Sequence, residues 1–298
     1  MGSTEPRGEV VPLGSLHLPG CLALSQSAGW NQNAADWRLM LEMGRGWGVV
    51  LPDATLAAST VILPYGSGFG WVSMVLVLPA HRRKGYATRL LRKAIAELEG
   101  RGLTPVLDAT PAGREVYLQE GFGEAWGFKR FFLQKGFAGE PSAEVRGMRE
   151  RDWPAILEMD AAAFGGDREM LLRALAMRLP AAALVFEAQG KVEGFLLGRE
   201  GRESSQLGPL VARNASIAKA LLDHGLAQIA APLYIDVADH APGARRRIRA
   251  AAAVYQDGVR QAPGAGRRAP RVPSGRAGTG IGRGPKAAPG RRCSRAAR

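Results

Sequence analysis

With 298 residues, 46% apolar and 22% charged, the chain is long enough for two ordinary domains and too apolar to be wholly disordered. It contains no apolar run near membrane-span length, and MGSTEPRGEV lacks a charged-then-apolar leader, so no membrane partner is expected and a cytoplasmic location is. The net charge of +13 would suggest nucleic acid, but residues 241–298 hold 15 of the 40 Lys and Arg against one acid, Asp257; the rest is near neutral, and a nucleic-acid partner is not expected.

The first elements alternate. An apolar stretch Val10 to Leu13 precedes a helix from Leu18 and a second helix with Trp37, Met40 and Leu41 on one face. Trp47 to Leu51, Thr55 to Leu63 and Trp71 to Val77, separated by Pro52-Asp53 and the turn Gly66 to Gly70, predict an antiparallel meander. Ala87, Leu90, Leu91, Ile95 and Leu98 then mark an amphipathic helix stopped by Gly100 and Gly102. Thr104 to Asp108 is a buried strand, Arg114 to Glu120 a short helix, and a last strand pair lies near Trp126 to Leu133.

A second pass starts at Glu144. Glu144 to Met148 is a strand, Trp153 to Phe164 and Arg168 to Met177 are helices, and Ala182 to Glu187 with Val192 to Arg199 form a hairpin. Gln206 to Ala212, Ala215 to Gln228 and Leu233 to Val237 complete a strand, a helix and a strand. The order repeats, and so do residues: aligning Ala87 to Leu91 with Ala218 to Leu222 sets Arg82 opposite Arg213 and Gly85 opposite Ser216. The expectation is a tandem duplication of α/β units: 5–138, then 143–240 as an incomplete second copy.

Residues 241–298 break the pattern. Ala, Arg, Gly and Pro supply 44 of these 58 residues, a composition that cannot form a core, so a disordered tail is expected. It is either a genuine basic extension or the product of a reading-frame slip in a GC-rich gene. The second copy stops after its fifth strand, which favours the slip, and an incomplete copy would leave an exposed sheet edge.

The chemistry concentrates in Val75-Leu76-Val77-Leu78-Pro79-Ala80-His81-Arg82-Arg83-Lys84-Gly85-Tyr86-Ala87-Thr88. A strand ends in a basic turn that opens a helix, whose unpaired N–H groups and positive end suit a pyrophosphate. Arg82, Arg83 and Lys84 add charge, and Gly85 permits close approach of backbone. A solvated basic loop before an ordinary helix would look the same in isolation.

The segment Arg-x-x-Gly-x-Ala after a Val-x-Val-x-Pro strand end resembles the acetyl-CoA loop of the GNAT N-acetyltransferase superfamily. Tyr117-Leu118-Gln119-Glu120-Gly121-Phe122, about thirty residues on, resembles the same superfamily's Tyr-x-x-x-Gly-Phe helix end. Gly29-Trp30-Asn31 and Leu107-Asp108-Ala109-Thr110-Pro111 are similar to bacterial tandem-GNAT proteins in particular. The resemblance implies two GNAT-like α/β/α units with mixed, mostly antiparallel sheets, and acetyl-CoA as cosubstrate. The backbone of Val75, Leu76 and Val77 would meet the pantetheine arm, Arg83 to Thr88 would hold the pyrophosphate with Arg82 bracing the turn, and Tyr117 would protonate the leaving thiolate. The implied reaction is direct attack of a primary amine on the thioester.

An amine of pKa about 10.4 is protonated at neutral pH, so a base or water path is needed. The strand Trp71 to Val75 has no carboxylate, where many family members carry a Glu; Asp108 is the local candidate base, and it could equally brace a turn. Trp30, Asn31 and Trp71 could wall an acceptor pocket or simply pack. The four His and two Cys show no metal-ligand spacing, so no metal is expected and both thiols read as inert. The second copy replaces the basic triplet by Arg213-Asn214-Ala215 and lacks Tyr-x-x-x-Gly-Phe, so only the first unit is expected to react. A non-catalytic acyl-CoA-binding or regulatory module is the alternative.

Overall fold

A computed structural model describes residues 8–66, 68–110, 113–136 and 139–238, with 260–261 and 292–297. The first unit runs β1 (Glu9–Pro12), α1 (Leu18–Ser27), α2 (Ala34–Met43), β2 (Arg45–Val50), β3 (Leu56–Tyr65), β4 (Phe69–Val77), α3 (Tyr86–Gly100), β5 (Thr104–Ala109), α4 (Arg114–Gln119) and β6 (Gly123–Leu133). The second runs β7 (Val145–Gly147), α5 (Trp153–Phe164), α6 (Glu169–Arg178), β8 (Leu184–Ala188), β9 (Lys191–Arg199), β10 (Ser205–Ala212), α7 (Ala215–Gln228) and β11 (Leu233–Ala238). Two short strands follow, β12 (Arg260–Gln261) and β13 (Arg292–Ala297).

Local chemistry accounts for the helices. Asn33 caps α2, its side chain accepting from the Asp36 N–H (3.1 Å) while the Asp36 carboxylate accepts from the Asn33 N–H (2.9 Å). Along α3, Leu90, Leu91, Ala94, Ile95 and Leu98 form one buried stripe. It packs against Trp47, Val49, Ile62, Val72 and Leu107 on one face of the sheet. On the other face α1 and α2 bring Cys21, Leu24 and Trp37 against Val61, Leu63, Met74 and Leu76. The second unit repeats the layers, with α7 on one face and α5 and α6 on the other. Burial pushes the Cys21 thiol up to about 12, as expected of an inert cysteine. In a Cys293→Ser background, a thiol reagent should therefore label Cys21 only after denaturation.

The two units share one sheet of order β1-β2-β3-β4-β5-β13-β6-β11-β10-β9-β8-β7. Read from its ends, the order is that of one unit and then of the other reversed. β5 runs parallel to β4, and β11 parallel to β10. In place of the strand pair expected near Trp126 to Leu133 there is one long strand, β6, which leaves the first unit and pairs antiparallel with β11 from Leu133↔Leu233 to Phe128↔Ala238. Leu133 belongs to the second unit's core, Phe132 lies 4.7 Å from Tyr234 ring to ring, and Arg130 forms a two-point ion pair with Asp236. The β11 edge, expected to be exposed, is covered by a strand from the other unit. Of the expected disordered tail, Arg260–Gln261 pairs with β6 and Arg292–Ala297 lies between β5 and β6; the rest lies outside the described residues.

At the start of the second unit the Arg146 guanidinium grips the buried Asp152 carboxylate at 2.7 and 2.9 Å, and the Arg149 N–H adds a bond of 2.8 Å. The Arg146 bond holds the Asp152 carboxyl below its ordinary value, against burial. A depressed carboxylate stabilises the fold above its unfolded pKa and loses that contribution as pH falls through the folded one. Asp152→Asn should therefore lower the melting temperature at pH 7, with the gap to wild type closing below about pH 3.9.

Candidate active site

β4 and β5 pair from Phe69↔Thr104 to Val72↔Leu107 and then separate. The cause lies in β4: its register on β3 shifts between Val61↔Ser73 and Ser59↔Leu76, and Met74 takes φ +52. Such a bulge bends the strand, and the left-handed conformation costs about 1–2 kcal/mol at a non-glycine residue. The buried Ser59 hydroxyl offsets part of that by donating to the Met74 carbonyl at 2.8 Å. The bulge also changes the phase of the side chains. Val72, Val75 and Val77 face α3, whereas Trp71, Met74 and Leu76 face α1 and α2. Beyond the split, Val75, Leu76 and Val77 have β3 on one side and no ladder partner on β5.

Below the split, residues 78–85 lead into α3. Arg82, Arg83, Lys84 and Gly85 are exposed, and Tyr86, Ala87 and Thr88 form the helix's half-buried first turn. The Arg82 guanidinium turns back to the Val77 carbonyl in a long contact of 3.4 Å. Gly85 is the N-cap at φ +79, ψ 3, and as a glycine it presents no side chain to the N–H groups behind it; a Cβ there would meet nothing within 4 Å. The glycine is thus required by backbone conformation, not by neighbours.

The second unit differs at this point for a reason the alignment did not supply. Its connection is only residues 213–214, and α7 begins immediately. Asn214 caps α7 through its own side chain, which accepts from the Ile217 N–H (2.9 Å) and the Ser216 hydroxyl (2.7 Å). The N-terminus of α7 is thus capped by its own chain, after a connection shorter than the one that precedes α3.

Tyr117 is half-buried on α4, edge-on to Phe122 at 6.2 Å, and packs on the α3 side with Val75, Val77 and Tyr86. Asp108 is exposed on the opposite face, because Leu107 and Ala109 beside it point into the α3 core. Its surroundings agree: the Tyr65 hydroxyl is pushed up to about 12, chiefly by burial and further by Asp108, with Arg168 opposing, and Asp108 also acts on Arg130. The structure thus brings Tyr117 to the face of Val75, Val77 and Tyr86, and sets Asp108 on the other, with Leu76. Among the described residues no group of His, Cys, Asp and Glu could hold a metal, and no helix is long and apolar enough to cross a membrane.

Sequence reasoning missed the contact between the units on the Asp108 face. Asp36 is nearly buried, and its two oxygens accept from Arg178 and Arg199 of the second unit, each at 2.6 Å. Arg199 continues to Gln206 (2.9 Å), and Gln206 to Asp236 (3.0 Å), the partner of Arg130. The Asn31 side chain donates to the Ser204 carbonyl (2.8 Å) and accepts from the Glu203 and Ser204 N–H groups (2.8 and 3.2 Å). Phe164 of α5 stacks on Trp71 with centroids 6.3 Å apart and meets Tyr65 edge-on at 4.9 Å. Asn31 and Trp71, which the sequence left as pocket walls or packing residues, both meet the second unit. The capping pattern Asn33 to Asp36 was visible in the sequence, but nothing local marks the arginines that the carboxylate would meet.

Comparisons with known proteins agree with the two-unit fold. Residues 23–122 match the model of the acetyltransferase (GNAT) family, and residues 156–261 match a second, an acetyltransferase (GNAT) domain. The uncharacterized N-acetyltransferase YitH of Bacillus subtilis (strain 168) is 24% identical over 232 residues, 77% of this chain and 82% of its own. A structure of a candidate acetyltransferase from Pyrococcus horikoshii superposes with a TM-score of 0.64 at 20% identity, covering 79% of this chain and 81% of that one. A GCN5-related N-acetyltransferase from Sphaerobacter thermophilus does so with a TM-score of 0.55 at 16% identity, covering 78% and 88%. These structures share the fold.

Proposed function

Because this chain belongs to the GNAT acetyltransferase family, with two of its domains in tandem, we propose that its first unit transfers the acetyl group of acetyl-CoA to a primary amine. The observation that carries this reading is the split between β4 and β5 with an open helix N-terminus below it. The pantetheine arm would lie along Val75, Leu76 and Val77, where the strand has no ladder partner on β5, and the pyrophosphate would lie on Arg83 to Thr88. Arg82 would keep the turn closed against Val77.

The amine nitrogen attacks the thioester carbonyl, the C–N bond forms, and the C–S bond breaks without an acyl-enzyme. Asp108, directly or through water, would take the proton of the incoming ammonium on its face, and Tyr117 would return a proton to the thiolate on the α3 face. The opposite placement of these two residues suits an amine arriving on one side and coenzyme A leaving on the other. Tyr117→Phe should lower kcat about 100-fold or more while coenzyme A binding stays unchanged, as a thiol-release assay and calorimetry would show.

A second reading, a non-catalytic acyl-CoA-binding module, draws on one observation: Phe69–Val77 carries no carboxylate. A screen of acetyl-CoA against varied amines separates the two. Coenzyme binding with no thiol release across the panel, and no effect of Tyr117→Phe, would favour the binding module.

A further inference from the structure

A carbonyl held at the split between β4 and β5 can be approached from either face of the sheet. In the reading above, on which this inference rests, the coenzyme takes the α3 face, so the amine has the other. Both units bound that face. The first supplies α2 and residues 29–33 before it; the second supplies Phe164, stacked on Trp71, and the turn Glu200–Ser204, fastened to Asn31.

We propose that the acceptor cleft is a composite of the two units, and that Arg178 and Arg199 are positioning residues that set acceptor binding by holding the start of α2 through Asp36. Asp36 is 7% exposed, and a carboxylate that deep is tolerated only when its charge and lone pairs are met. Here they are met across the unit boundary, by Arg178 Nη1 and Arg199 Nη1 at 2.6 Å each. Asp36 also accepts from the Asn33 N–H, so the clamp acts on the helix's first turn and on the chain entering it. Arg178 bonds the Glu200 carbonyl at 2.9 Å as well, which ties the same arginine to the turn that receives Asn31. The fit there is close: a Cβ on Gly201 would lie 2.1 Å from Asn31 Nδ2. Two anchors thus hold one acceptor-side segment, and neither involves the coenzyme loop on the far face. The second unit would serve the reaction without binding coenzyme itself.

The test is made on the full chain with Arg178→Ala and Arg178→Lys. Arg178→Ala should raise the acceptor KM about tenfold or more while the acetyl-CoA KM and coenzyme A affinity stay within about twofold, and Arg178→Lys should recover most of the loss. Amide exchange at residues 30–36 should rise about tenfold in Arg178→Ala with β2, β3 and β4 unchanged. Should that variant melt near the assay temperature, Asn31→Ala removes the other anchor and carries the same expectation. Equal changes in both KM values, no change in either, or unchanged exchange at 30–36 would overturn the inference and leave the proposed reaction standing. A wild-type chain that binds coenzyme A and acetylates no amine would overturn both.

Discussion

Gly85→Asp is expected to weaken coenzyme A binding about 100-fold or more, equivalent to roughly 2.7 kcal/mol, and to lower kcat/KM for acetyl-CoA to match. Two effects add. The backbone at Gly85 has φ +79, which costs a residue with a Cβ about 1–2 kcal/mol. The new carboxylate would also stand at the helix N-terminus proposed for the pyrophosphate, repelling it and engaging the N–H groups it needs. Asn214 already illustrates the second effect, since its side chain closes the N-terminus of α7. Gly85→Ala separates the contributions. Among the described residues nothing beyond its chain neighbours lies within 4 Å of the added Cβ, so the conformational cost should appear in the melting temperature, and affinity should fall no more than about 5- to 10-fold. Calorimetry with coenzyme A, alongside the melting temperature of each variant, measures both. Unchanged affinity in Gly85→Asp would remove this loop from the cofactor site.

The second large effect concerns the strand carried from one unit to the other. A chain of residues 139–238 alone is expected to show no cooperative unfolding transition, and a peptide of residues 121–135 added in trans is expected to restore one. Without β6, the β11 edge from Leu233 to Ala238 loses its antiparallel partner, and Asp236 loses Arg130. The core also loses Leu133, a side chain whose removal typically costs about 2–5 kcal/mol. A domain this size has in total only about 5–15 kcal/mol to lose. Circular dichroism melts of the fragment with and without the peptide are the measurement. A fragment that melts cooperatively near the temperature of the full chain would mean that β6 is merely appended to the second unit.

Much of the fold was legible in the sequence because the governing signals are local. The stripe Leu90, Leu91, Ile95 and Leu98 fixes a helix by period, Gly100 and Gly102 end it, and the apolar run Trp71 to Val77 after the turn Gly66 to Gly70 marks β4 as a strand. The candidate loop was legible for the same reason, since a strand end, a basic turn and a helix start are contiguous. The destination of β6 was not. An apolar strand reads alike whether its partner is the preceding strand or one a hundred residues away, so Phe128 to Leu133 gave no sign that β11 would receive it. The Met74 bulge was hidden too, because Trp71-Val72-Ser73-Met74-Val75 contains no glycine or proline to mark it.

The sequence by itself determined that this is a duplicated α/β chain, that one copy retains a basic, glycine-turned helix start, and that the other has lost it. Those features depend on side-chain periodicity and on backbone preferences within a few residues. Only the tertiary structure decided that Asp108 and Tyr117 stand on opposite faces of the sheet, that Asp36 meets Arg178 and Arg199, and that one unit completes the other's sheet. The last two join residues far apart in the chain. Their pairing follows from burying a charge or a sheet edge against whatever complementary group the packed units bring within reach, and no local pattern encodes that choice.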